Sequence, residues 1–531
     1  MTNRISALPI PRLTEENRRW WALGAMCFAL FMIMLDNTVV NVALPSIQRS
    51  LNATTSTLEW TVNAYTLTFA VLLVTGGRLG DIFGRRRIFL IGVIIFATAS
   101  GAIGFSPNDT WLVAWRAVQG TGSALMMPMT LSIITNAFPP QERGKAIGTW
   151  AGVSAMALAI GPVVGGFLVE AVSWQSIFFL NLPVAVAAVL VTLFAVRESC
   201  DQTVTRTVDI PGVATLTISL AALVLALVEG NSWHWGSTRE LALFALAIVG
   251  LTTFVQIERR RKVPMVDFSF FRARTFVGAN AVAFIVSFAM LAMFFFLALY
   301  MQNIRGYTPL EAGIRFLPST ALVIVMGPLA GRLADRVGPR PLMTLGLLIV
   351  SGALFWLSHV TVSSGYDALL PGFMLMGIGI GLTMSPMSTA AMNSVEQTKA
   401  GVASGILSQN RMVGGTFGVA VTGALVSSLG GAKIDQLLPG VPASIRAHLT
   451  ESLGSGGVLH GVPARAVEAT HVAYVYALQS GLRVGAAVAL LGAGLAWVLV
   501  ARIGLIASPS PSPTHEVHEH RGNEPAASLR G

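Results

Sequence analysis

Two stretches of this 531-residue chain decide its reading: GRLGDIFGRRR at 77–87 and GRLADRVGPRP at 331–341. Gly77, Arg78, Leu79, Asp81, Gly84 and Arg86 return as Gly331, Arg332, Leu333, Asp335, Gly338 and Arg340 at one constant offset. Gly77 and Gly331 permit close approach of two helices. Gly84 and Gly338 can take the positive φ of a tight turn. Asp81 and Asp335 are placed to meet arginines or a helix N-terminus. A plain basic anchoring loop would not need Gly and Asp at fixed offsets twice. Together with Arg85, the repeat reads as a latch that shuts one face of the molecule in one state and releases it in another.

The surroundings of both copies are apolar. Charged residues are 11% of the chain, where about 25% is usual, and AVILMFWYC reach 53%. The 53 glycines suit closely packed membrane helices. A membrane-spanning helix needs about 20 largely apolar residues. Runs of that length fall at 20–44, 59–80, 88–105, 109–136, 144–170, 177–196, 210–230, 240–257, 276–301, 312–331, 341–359, 367–392, 400–428 and 474–501. An all-α polytopic membrane protein of fourteen spans is expected. Each repeated loop follows the second span of a set of six. The chain therefore divides into a segment 1–19, a six-helix half 20–196, an inner loop with an inserted helix pair 197–262, a second six-helix half 263–502, and a tail 503–531. Two similar halves around a central site are the architecture of secondary transporters. An outer loop at 429–473 has room for a short amphipathic helix.

Charge sets the expected orientation. With a cytoplasmic N-terminus, inner segments carry about 25 of the 35 Lys and Arg and outer segments about 7, while Arg116, Arg411 and Arg483 lie within spans. Both termini are then cytoplasmic, in a cell inner (plasma) membrane. The net charge of +10 is explained by basic loops against anionic lipid, among them Arg85–Arg87 and the run Arg259, Arg260, Arg261, Lys262. No clustered soluble basic domain points to nucleic acid. The first nineteen residues are polar and the first apolar run is too long for a signal-peptide core, so no cleavable signal is expected. Cys27 and Cys200 are read as unpaired. The tail from Ser508 is low in complexity, and its His515, His518 and His520 are read as solvated rather than metal-binding.

Further stretches carry a resemblance. LDNTVVNVALP (35–45) ends the first span, RAVQGTGSA (116–124) lies in the fourth, and Gly152, Gly161, Pro162, Gly165 and Gly166 line the fifth. YMQNIRGYTPLEAG (300–313) follows the ninth. Together with the 77–87 loop, these resemble the major facilitator superfamily, specifically its fourteen-helix drug:proton antiporters of EmrB/QacA type. The likeness spans almost the whole chain in the correct order. It implies a major facilitator fold, two six-helix halves plus two inserted central helices. It also implies proton-coupled export of hydrophobic or amphipathic small molecules, with multidrug efflux as the family's theme. It links the arginine of the fourth-span motif, here Arg116, to proton coupling, and marks the fifth-span glycines as the antiporter motif. The chain departs from the family after the fifth span, where Trp174, Gln175, Ser176, Ile177 and Phe178 precede Asn181 and Pro183.

Charge at membrane depth is costly, so each ionisable group there is a functional candidate. Asp36 and Arg116 each lie about eight residues, or roughly 12 Å, from the outer ends of their spans. They can face each other or act through a neighbour such as Asn37 or Gln119. A carboxylate beside an arginine stays ionised; parted from it, the acid takes a proton. A static structural pair is the competing reading. Arg411 sits deeper, with a conformational role, a substrate contact or a water-lined position all open. Glu59, Glu170 and Glu229 fall at outer ends, where hydration weakens their claim. Asn37, Asn41, Tyr65, Gln119, Met126 and Arg411 are candidate substrate or interface residues, and Met127, Phe295 and Met384 could add an adaptable apolar lining.

No Walker loop, metal-ligand set or nucleophile triad occurs, so an enzyme is not expected; no cofactor is called for beyond a proton gradient. A dedicated exporter of an endogenous metabolite, siderophore or lipid fits the same scaffold. A non-transporting sensor or scaffold would not need the paired charges or the repeated loops. A periplasmic adaptor and a lone monomer both fit the sequence.

Overall fold

The computed structural model describes residues 14–501 except 54, 201–208, 234, 262–263, 265 and 456–462. Most of the first segment, Lys262 and the tail with its three histidines lie outside the described residues. The chain is helical throughout its described length. A first set comprises α1 (Glu15–Leu51), α2 (Thr55–Phe83), α3 (Arg85–Gly104), α4 (Asp109–Ala137), α5 (Pro140–Ala171), the single turn α6 (Ser176–Phe179) and α7 (Asn181–Ala195). Then come α8 (Ile210–Trp233) and α9 (Thr238–Arg260). The second set is α10 (Arg274–Leu299), α11 (Pro309–Val337), α12 (Pro339–Leu357), α13 (Tyr366–Asn393), α14 (Ala400–Leu437), α15 (Ala443–Ser455) and α16 (Ala464–Leu499).

Local chemistry starts and stops these helices. Asn108 caps α4 by accepting from the Trp111 N–H at 2.8 Å. Thr308 and Glu311 form a reciprocal capping box at α11. Gly84 joins α2 to α3 at φ 106°, and Gly338 joins α11 to α12 at φ 86°. Both repeated glycines therefore take the turn conformation that their position in the motif requires.

Among the described residues, twelve helices are long and apolar enough to cross a membrane, with α6 and α7 counted as one. The expected fourteen is not reached by that measure: α4 and α5, of 29 and 32 residues, lie outside the twelve. α4 packs on α2 and α3, and α5 lies between α1 and α11.

The expected outer loop at 429–473 is shorter than its sequence suggests. α14 continues to Leu437 and α16 begins at Ala464, with α15 between them. α15 docks through buried Leu449 and Leu453 and an Arg446–Asp435 ion pair of 3.2 Å. Gly430 makes room for Leu453 where α15 packs on α14. The two sets meet along α5–α11 and α2–α14, and α8 packs against both α2 and α14.

Candidate functional site

Five helices of the first set converge on one buried polar cluster. Arg116 of α4 donates from Nη1 to Asp36 Oδ2 of α1 at 2.6 Å, and both side chains are almost fully buried. Gln119, one turn on from Arg116, donates to Asp36 Oδ1 at 3.0 Å and accepts from Arg116 at 2.7 Å. Asn181 of α7 reaches the same carboxylate oxygen at 3.4 Å and donates to Ser100 of α3 at 2.9 Å. From α2, the Thr61 carbonyl accepts from Arg116 Nε at 2.9 Å. The Tyr65 ring lies 4.2 Å from the guanidinium carbon, and its hydroxyl pairs with Ser123 at 2.8 Å. Removing two charges from water costs several kcal/mol per ion unless geometry and further hydrogen bonds compensate. Here the carboxylate has partners from two other helices.

The structure thus joins Asp36, Arg116, Gln119 and Tyr65. Asn37 donates to the Ile33 carbonyl one turn back, and the Asn41 side chain lies outside those described. Met126 and Tyr65 do not line an open pocket: both are fully buried, and Met126 fills the space left by Gly92 where α3 meets α4. Met127 and Met384 are buried as well, whereas Phe295 is exposed on the outside of α10. Glu229, read as a hydrated acid, is buried at the end of α8, where Trp235 covers Gly230. Sequence reasoning missed Asn181, Ser100 and Thr61 as partners. Asn181 stood in view within its Asn-x-Pro stretch, but only the fold brings α7 against α1.

The repeated loops form a second constellation. Asp81 Oδ1 accepts from Arg85 Nη2 at 2.7 Å and from the Gly401 N–H at 2.9 Å; Oδ2 accepts from the Val402 N–H at 2.8 Å. Arg85 also donates to the Gln397 and Thr398 carbonyls at 3.0 and 2.6 Å. A buried acid of the first set therefore caps the N-terminus of α14 in the second, the end that favours negative charge. Asp335 does the converse more loosely, its carboxylate lying beside Gly144 in the first turns of α5. A Cβ on Gly77 would run into the Gly401 carbonyl, and one on Gly331 into that of Gly144. The copies are unequal because Arg85 has Pro339 as its counterpart: Asp81 is buried, Asp335 exposed.

Arg78 is buried, Arg332 exposed, and the Arg86 N–H donates to Glu198 at 3.0 Å. Arg143–Asn393 at 3.0 Å and Ser404–Pro128 at 2.8 Å add ties between the sets at the same end. That end is closed.

Within the glycine motif of α5, a Cβ on Gly152 would lie 3.3 Å from the Ile324 carbonyl oxygen of α11. Gly161 and Gly165 abut Thr38 and Val39 of α1, and Gly166 faces open space. Only Gly152 serves the seam between the sets; the Pro162 side chain lies outside those described. Arg411 stands on α14 with its guanidinium carbon 5.9 Å from the Trp150 ring centroid. Cys27 and Cys200 are both free thiols.

A membrane-spanning bundle of two helical sets, tied together at one end by a duplicated loop, defines a secondary transporter rather than an enzyme. The chain belongs to the Major Facilitator Superfamily, which it matches over residues 26–419. It is 32% identical over 492 residues to the tetracenomycin C resistance and export protein of Streptomyces glaucescens, covering 91% of each chain. It is 37% identical over 430 residues to the multidrug resistance protein Stp of Mycobacterium tuberculosis, 80% of each. Among solved structures, the proton:xylose symporter XylE matches with a TM-score of 0.61 at 14% identity, over 92% of this chain and 98% of that one. That likeness shows the fold alone.

Proposed function

We propose that this protein is a proton-coupled exporter of hydrophobic or amphipathic small molecules, antibiotics among them. The buried Asp36–Arg116 pair carries the reading, because a transporter driven by protons needs an acid whose partner can be withdrawn. In this arrangement Arg116, Gln119 and Asn181 engage both carboxylate oxygens of Asp36. When transport shifts α1 against α4 within the first half and parts the pair, the acid takes a proton from outside; re-forming the pair expels it inward as substrate leaves. The relatives named for antibiotic resistance and export support the substrate class. Because one of them is named for a single antibiotic, a dedicated exporter is the second reading.

The membrane topology belongs to the same proposal. α4 and α5 count as spans, since each exceeds the about 20 residues needed and packs along other spans; with the twelve, they make fourteen. Both termini and the latch loops are cytoplasmic, so the closed end faces inward. The test is a substrate screen in a pump-deficient bacterial host, including tetracenomycin C and puromycin. The intact protein should raise tolerance to at least one amphipathic compound, and Asp36→Asn should abolish the gain at equal expression. Equal tolerance in both would sink the reading.

A further inference from the structure

We propose that Arg411, backed by the face of Trp150, binds the ionised acidic group of an amphipathic substrate, making organic anions a preferred class; this rests on the export reading. Arg411 lies eleven residues past the start of α14 and Trp150 ten past the start of α5, about 15–17 Å along each axis. These are the two helices whose first turns the latch aspartates meet. Cation and ring therefore meet at matched depth on the seam between the halves.

Two other deep charges have partners. Asp36 is taken by Arg116, and Asp81 by Arg85 and the start of α14. Arg411 has no carboxylate and no hydrogen-bond acceptor among the described residues, and its Nε is buried without a partner. A guanidinium carries five donors that match a carboxylate or similar oxyanion in a two-pronged fit. An uncompensated cation at this depth is costly and marks a ligand pathway by default. Trp150 is fixed by its Nε1 hydrogen bond to Thr130 at 3.1 Å, so its ring is a rigid backing for the guanidinium. Arg411 itself is only partly buried, which leaves it reachable from the seam.

The test is equilibrium binding of two probes with one skeleton to the full chain in nanodiscs, with empty discs subtracted. One is 8-anilino-1-naphthalenesulfonate, an anion; the other is uncharged N-phenyl-1-naphthylamine. Losing a charged hydrogen-bonding partner corresponds to about a 10- to 100-fold change in affinity. Arg411→Gln should weaken the sulfonate by that factor and leave the naphthylamine within about twofold. Arg411→Lys should keep part of the sulfonate affinity. Equal losses for both probes would assign Arg411 to architecture. Unchanged binding of both, or no protein-dependent sulfonate binding by the unaltered chain, would also overturn the subsite. Binding needs no gradient, so these outcomes are separate from failure of export: Arg411-dependent binding without gradient-driven efflux would sink the export reading alone.

Discussion

Asp36 has hydrogen-bond partners on two helices, and its neighbours differ in what their removal should do. Asn181 supplies the longer of the two amide contacts and also holds Ser100. Asn181→Leu should cut transport about tenfold or more, the worth of about 1–3 kcal/mol for an unmet buried partner, with insertion unchanged; rates at matched expression check this. Arg116→Ala strands a buried carboxylate and should cost about 3–5 kcal/mol of stability, read as a lowered melting temperature of the purified protein. Asp36 and Arg116 were legible in the sequence because charge is so rare in apolar runs, and counting from the span ends matched their depths. Asn181, Ser100 and Thr61 were not. A neutral polar residue in a span is common, and only the packing of α7 and α3 beside α1 gives these three a partner.

The paired loops were legible as a repeat, since Gly and Asp recur at fixed offsets, but the helices they contact were not. That Asp81 would cap α14 and Asp335 would reach α5 depends on which helices cross the seam. Gly77→Leu drives a side chain into the Gly401 carbonyl, and Asp81→Asn removes the charge facing the α14 N-terminus. Both should reduce transport severalfold or more while leaving membrane insertion intact; full activity in both variants would exclude the latch. The exposed counterpart, Asp335→Asn, should cost less. A further tie lies beside this latch, where Lys399 bonds Asp267 at 2.8 Å. Burial pushes the Asp267 carboxyl up, but the hydrogen bonds from Lys399 and Ser269 outweigh it and hold it at about 2. A depressed folded-state pKa gives stability that is present above the ordinary value of about 3.9 and lost as pH falls toward 2. Asp267→Asn should therefore melt lower than the parent at pH 6 and converge with it in that acid window; a constant gap down to pH 2 would contradict the assignment.

Across the molecule, hydrophobic runs located the helices well, and the misreadings share one cause. The outer loop was expected from residue 429, yet Gly430 and Asp435 belong to a helix that continues past the span and receives α15. Single-sequence hydropathy cannot tell a helix that projects from one that ends. The linker after α7 is docked beside the latch: the Arg85 N–H donates to the Ser199 carbonyl, and Glu198 accepts from Arg86 and Arg87. Ser199→Cys, in a background lacking Cys27 and Cys200, should resist impermeant thiol reagent applied to intact cells; ready labelling would reverse the topology. The central claim is that Asp36 carries the coupled proton. It is tested most directly by substrate efflux from proteoliposomes under an imposed pH gradient, comparing the parent with Asp36→Asn. Loss of gradient-driven, protonophore-sensitive efflux, with substrate binding retained, is the predicted result; undiminished protonophore-sensitive efflux by Asp36→Asn would place the coupling acid elsewhere.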